Sequence, residues 1–248
     1  MMKARQVFQQ VFLFSLIILS FSCNKDETVN EPPTNYNQLT NLQRDFVNEY
    51  IFSTFNLSPT SNGNSLSTKW QNEIKVFIES EISSNLQLRI ENYLEELNTL
   101  ITDRTRILLV ENLNQSNVHI ISGPPSSIEQ IWPDMYNLVV DTNFEGYALY
   151  DWSSDNYITR GRIWLGRPNR SLFIHELGHI LGLGHASNSY CDNGNISFMC
   201  SVAKAEELNS FDKETIKALY HPGTLVGLSQ TEMRNLIEEY VLINSILE

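Results

Sequence analysis

Histidine is scarce in this 248-residue chain, with only five residues. Cysteine is scarcer, at three, and 17 basic residues face 29 acidic ones, for a net charge of -12. Each shortage excludes something. An acidic chain repels phosphate backbones, so no nucleic-acid partner is expected. The cysteines, Cys23, Cys191 and Cys200, form no C-x₂-C pair, so a thiolate zinc site of the finger or ribbon kind is not expected. No internal repeat is visible, and outside the first two dozen residues no apolar run is long enough for a membrane span. The hydrophobic share, 42%, still leaves enough apolar side chain for a sizeable core.

The one long apolar run, Val11–Phe21, follows a basic start and has the length of a signal-peptide core. It ends in "LSFSC", which resembles the processing site of bacterial lipoproteins, where the cysteine is lipidated and becomes the first mature residue. Cys23 is then the expected lipid anchor, residues 1–22 the signal peptide, and residues 23–40 a polar, proline-bearing tether. An exported protein held in the cell envelope follows, at the outer membrane and on the periplasmic or outer surface. An ordinary cleaved signal that frees a soluble protein is the alternative. With Cys23 assigned, Cys191 and Cys200 form an even pair in an oxidising compartment, and a disulfide is the default expectation.

Hydrophobic spacing sets the rest. Leu39, Leu42, Phe46, Tyr50 and Phe55 predict a short amphipathic helix, followed by a Ser/Asn/Gly-rich loop. "EIKVFIES" alternates as a strand, and Leu86, Ile90, Tyr93, Leu94, Leu97 and Ile101 mark a long helix. "RILLVE", "VHIISG", "YNLVVD", "GYALYDW" and "TRGRIWLG" read as strands. "RPNRSLFIHELGHILGLG" reads as a helix capped by Asn169, and "SFDKETIKALY" as one capped by Ser210 or Asp212. A last helix opens at Ser229, with Glu232 completing a capping box. The order predicts an α+β fold with one twisted mixed sheet. Residues 41–67 are expected to form an N-terminal helix and loop, and 223–248 a C-terminal helix. Whether residues 24–67 are a pro-segment or a spacer is open at this point.

Three of the five histidines fall in "HELGHILGLGH". On an α-helix His175 and His179 lie about 40° apart and one turn along, on one face. Two imidazoles so placed can hold one metal ion at about 2 Å. Gly182 lets the chain leave the helix sharply, and the turned chain can return His185 to the same ion. Three nitrogen ligands leave a fourth position for water, and Glu176, next around the helix, can reach that water. Zinc lowers the pKa of such a water to about 7.

The full pattern H-E-x-x-H-x-x-G-x-x-H, met by His175, Glu176, His179, Gly182 and His185, resembles the metzincin zinc peptidases. The flanking "LGHILGLGHAS" is most similar to their matrixin branch. "SFMC" with Met199 resembles the family's methionine turn, "KWQNEIKVFIE" its first strand, and "FDKETIKALYHP" its last catalytic-domain helix. The resemblance covers residues 68–222, which it implies are the peptidase domain, with a long backing helix, a zinc-bearing active-site helix and a small, mainly helical C-terminal subdomain. It also implies one catalytic zinc on the three histidines, Glu176 as general base, and Met199 under the metal without ligating it. The substrates would be proteins or peptides, held as extended strands on an edge strand such as Gly146–Trp152. A specificity pocket would lie between the zinc helix and "CSVAKAEE". A role for calcium is left open. Two features depart from the family. Ser201 stands where some members carry a tyrosine, and no cysteine-switch segment precedes the domain.

Other readings stand beside this one. The chain could be a surface-tethered binding or adhesion protein on an inactive scaffold of this kind, although such a scaffold has no need of Glu176. Glu206 or Glu207 could replace His185 as the last ligand. His119 reads as structural, His221 as a helix-end residue, and Arg160, Arg162, Arg167 and Arg170 as a solvated face.

If Cys23 is the anchor, Cys23→Ser should release the protein from the membrane fraction or block its processing, because several acyl chains hold firmly where one does not. Cell fractionation checks this, and wild-type protein wholly soluble after export rules the anchor out.

Overall fold

The structure, a computed structural model, describes residues 35–59, 63–79 and 82–246. The apolar leader, Cys23 and most of the tether lie outside the described residues.

In chain order the elements are α1 (Asn41–Thr54), β1 (Ile74–Ile78), α2 (Ser84–Leu100), β2 (Ile107–Leu109), β3 (Val118–Ser122) and α3 (Pro133–Val139). Then come β4 (Gly146–Trp152), β5 (Ile158–Leu165), α4 (Arg170–Ile180), the short α5 (Asn188–Asp192), α6 (Ser210–Leu219) and α7 (Gln230–Ile243). The five strands form one mixed sheet in the order β2-β1-β3-β5-β4. All neighbours pair in parallel except β4, which runs antiparallel to β5 and forms one edge. The fold is therefore α+β.

Strand alternation divides the core between the two faces of the sheet. Val76, Val118, Ile120, Ile163 and Leu165 point into the larger cluster, where they meet the buried faces of α1, α2, α4, α6 and α7. The intervening Ile121 and Trp164 point the other way, into a smaller cluster with Ile128, Trp132, Met135 and Val139.

That second cluster corrects one expectation. "YNLVVD" belongs to a helix and its end, not to a strand: α3 spans Pro133–Val139, with proline in its first turn. Proline there gives up an amide that has no helical partner anyway. Trp132, Met135 and Val139 then line one helical face against Ile121 and Trp164. Arg162, on β5, fixes α3 by a bidentate pair with Asp134 (2.8 and 2.7 Å), so it is not simply part of a solvated face. A hydrogen-bonded guanidinium at this distance pulls the Asp134 carboxyl down to about 2.

The α4 helix lies largely inside the molecule: Leu172, Phe173, Ile174, His175, Glu176, Leu177 and Ile180 are all buried. Asn169 caps it through Leu172 N (2.9 Å). Its far end is a Schellman turn. Leu183 N donates to Gly178 O (3.1 Å) and Gly182 N to His179 O (2.9 Å). Gly182 takes φ +100°, which a side chain at that position would strain. The remaining carbonyls are also met, Ile180 O by Trp70 Nε1 (2.7 Å) and Leu181 O by Tyr220 Oη (3.0 Å).

A second correction concerns α6. Its cap is Asn209, and Asp212 sits at the third helical position, closing a reciprocal capping box. The same Asp212 carboxylate accepts from Ser197 Oγ (2.6 Å) and Phe198 N (3.3 Å). Burial pushes its carboxyl up to about 6 despite these donors. The α7 helix opens on the Ser229–Glu232 box and packs beside α1, with Gln43 Nε2 donating to Ile246 O (3.0 Å).

Cys191 and Cys200 are joined in a disulfide, Cα–Cα 5.9 Å, across a separation of nine residues. The closed loop carries Met199. On the chain-entropy account a loop this short should stabilise by roughly 2–3 kcal/mol. Urea unfolding with and without reductant measures the difference, and superimposable curves would show that the bond adds nothing.

Candidate metal centre

His175 and His179 stand one turn apart on α4, and the turn at Gly182 brings His185 to them. One ring nitrogen from each lies within 4.8 Å of the others. Among the described residues this is the one cluster of three metal-capable side chains.

Both helical imidazoles have their tautomer set by the backbone. His175 Nδ1 is 2.7 Å from Phe198 O, and His179 Nδ1 is 2.8 Å from Leu183 O. A carbonyl can only accept, so each Nδ1 carries the hydrogen and each Nε2 keeps a lone pair. The two Nε2 atoms face one another at 3.2 Å. Two lone pairs so close repel unless a cation lies between them. Two nitrogens about 2.0–2.1 Å from one tetrahedral ion would be separated by about 3.3 Å, so the spacing fits zinc. The carbonyl partners are the outer contacts that orient histidine ligands in metal sites.

Electrostatics agree with ligation by neutral rings. Burial lowers His175 to about 4, against a partial rise from its bond to Phe198 O. Burial also lowers His179, further depressed by the neighbouring His175 and His185, and it lowers His185. All three are therefore neutral at pH 7, as metal ligation requires. Glu176 is 4% exposed, and burial alone pushes its carboxyl up to about 8. A dication beside it would pull the other way.

Met199 lies beneath the helix. A methyl group added at Gly178 would overlap Met199 Sδ and Phe198 Cε2, so this glycine exists to let the methionine loop approach. Ala186 N donates to Met199 O (2.8 Å), tying the segment after His185 to the same loop. Met199 is 3% exposed and packs within the main core.

Other candidates separate from the site. Glu206 is exposed and paired with Arg89 on α2, and Glu207 is exposed, so neither joins the imidazoles. His119 Nε2 lies 2.5 Å from Glu79 Oε2, with its ring against Trp132. His221 closes the turn after α6, its Nδ1 accepting from Gly223 N (3.0 Å). Sequence reasoning missed the carbonyls of Phe198 and Leu183, which carry no side-chain signal. Residue type marks Asp212 only as a cap, not as the acceptor for Phe198 N.

No protein-family model matches the chain, and no curated protein matches it significantly.

Alanine at His175, His179 or His185 should each weaken zinc binding, whereas Glu206→Ala and Glu207→Ala should not. Competition against a chromogenic chelator reads this directly. Stoichiometric zinc in His185→Ala, with loss in a glutamate variant, would move the third ligand.

Proposed function

We propose that the chain is a zinc-dependent endopeptidase of the metzincin type, with Glu176 as its general base. The convergence of three neutral imidazoles next to one buried carboxylate carries this reading. His175, His179 and His185 would hold the ion. Zinc bound there supplies a Lewis acid and a water of pKa about 7.

The rest of the chemistry belongs to the chain. Glu176 would take a proton from the attacking water and return it to the departing amine. The carboxylate reaches the end of the edge strand: a methyl group at Gly146 would sit 2.5 Å from Glu176 Oε1 and 2.8 Å from Leu172 Cδ1. β4 pairs on one side only, with β5, among the described residues. Its free backbone groups can add an extended peptide as a further strand, and this gives main-chain affinity beside the base. The floor of the site is the Met199 loop, closed by the Cys191–Cys200 disulfide. A protein or peptide substrate suits such an edge. We place the enzyme in the cell envelope, tethered through Cys23, on the leader reading alone.

A binding or adhesion role on the same scaffold would not need a carboxylate at position 176, so the presence and placement of Glu176 favour the enzyme. Glu176→Ala should retain zinc, measured by atomic absorption, while cleavage of a labelled mixed-protein pool falls by about 10²–10⁴-fold. Equal rates in wild type and variant would remove Glu176 from the base role. Full zinc with no cleavage by the wild type would favour the binding scaffold.

A further inference from the structure

We infer that the N-terminal helix α1 is part of the metal centre, and that Glu49 on it is the positioning residue for His185. This rests on the proposed three-histidine ligand set.

The three ligands are not held alike. His175 and His179 ride on α4, and each ring is locked to a carbonyl. His185 lies beyond the helix, and its ring has no hydrogen-bond partner among the described residues. Its placement therefore depends on the backbone around it. On the preceding residue, Gly184 N donates to Ser53 O of α1 (2.7 Å). A methyl group at Gly184 would collide with Asn56, including its Cα at 2.7 Å, so the loop lies directly against the end of α1. Two residues after the ligand, Ser187 N donates to Glu49 Oε1 (2.5 Å) and Ser187 Oγ to Glu49 Oε2 (2.7 Å). From elsewhere come the bond from Ala186 N to Met199 O (2.8 Å) and the cap that Ser187 gives α5, its Oγ accepting from Tyr190 N and its carbonyl from Cys191 N (3.1 Å each).

Glu49 is 8% exposed, and both its oxygens are spent on Ser187. A buried carboxylate used in this way fixes a backbone amide and its side chain together, which is stronger than a neutral contact. The helix that carries it is itself rigid. Phe46, Val47, Tyr50 and Ile51 are buried in the main core, and Arg234 on α7 reaches Asn48 (2.8 Å). Thus α1 does for the third ligand what α4 does for the first two. Residues 41–56 are then no removable pro-segment, because their loss would release His185 while the H-E-x-x-H pair stayed intact.

The test uses the full chain. Glu49→Ala should weaken zinc binding by roughly tenfold, the low end of what loss of a ligand's direct hydrogen-bond partner costs, because Glu49 acts through the Ser187 backbone, and should alter the visible spectrum of the cobalt(II)-loaded protein. Glu49→Gln, which can still accept from Ser187 N and donate to Ser187 Oγ, should recover most of both. Gln43→Ala frees the other side of α1 from Ile246; it should lower the melting temperature without changing zinc affinity. If Glu49→Ala does not fold, Ser187→Ala decides, with a smaller but measurable loss of zinc affinity expected. Wild-type zinc affinity and cobalt spectrum in folded Glu49→Ala, or in Ser187→Ala when that variant decides, overturns the assignment. So does an equal loss of affinity in Gln43→Ala. A wild-type chain that binds no zinc removes the three-histidine reading as well, and so is distinct from a failure of Glu49 alone.

Discussion

Two imidazole lone pairs facing each other at 3.2 Å are the constraint on which the neighbouring structure depends. Left to themselves they would rotate apart or share a proton. They do neither, because each ring is tied through its other nitrogen to a carbonyl, and burial disfavours the added proton. Holding that arrangement requires Phe198 O and Leu183 O at fixed positions. Leu183 O is placed by the Schellman turn, which requires Gly182. Phe198 O is placed by the methionine loop, which requires Gly178 to be without a side chain so that the loop can approach. Both glycines thus serve one electrostatic arrangement.

Much of this was legible in the sequence where the signal is local. The histidine spacing, the exit at Gly182, the Asn169 cap and the Ser229 box are all patterns within a few residues, and the structure has each of them. The failures have a common cause. "YNLVVD" offers adjacent apolar residues that fit a strand or a helix, and only the partners waiting on the far face of the sheet decide between them. Ser210 and Asp212 are reasonable caps by residue type, but Asn209 holds the position, its Oδ1 accepting from Asp212 N (2.8 Å), while Asp212 also reaches 14 residues back to Phe198. The clasp of Glu49 on Ser187 spans 138 residues. No periodicity or motif predicts such a pair, and backbone carbonyl partners leave no trace in residue identity.

The sheet shows the same division between local and distant control. Its alternation is readable strand by strand, and the two clusters follow from it. Which edge is left free is a matter of topology. Among the described residues the sheet ends on β2 at one side and on β4 at the other, and it is β4, the antiparallel partner of β5, whose first residue meets Glu176.

Asp212 has a wider consequence. Its carboxylate belongs to the first turn of α6 and also accepts from Phe198 N, while the carbonyl of that same residue accepts from His175. Fraying one turn of α6 would therefore loosen the floor of the imidazole cluster in the same event. The helix start, the methionine loop and His175 are thus linked by one chain of hydrogen bonds and would be expected to open or close together. Occupation of the imidazoles would accordingly slow amide exchange at the start of α6, a place with no contact to the ion.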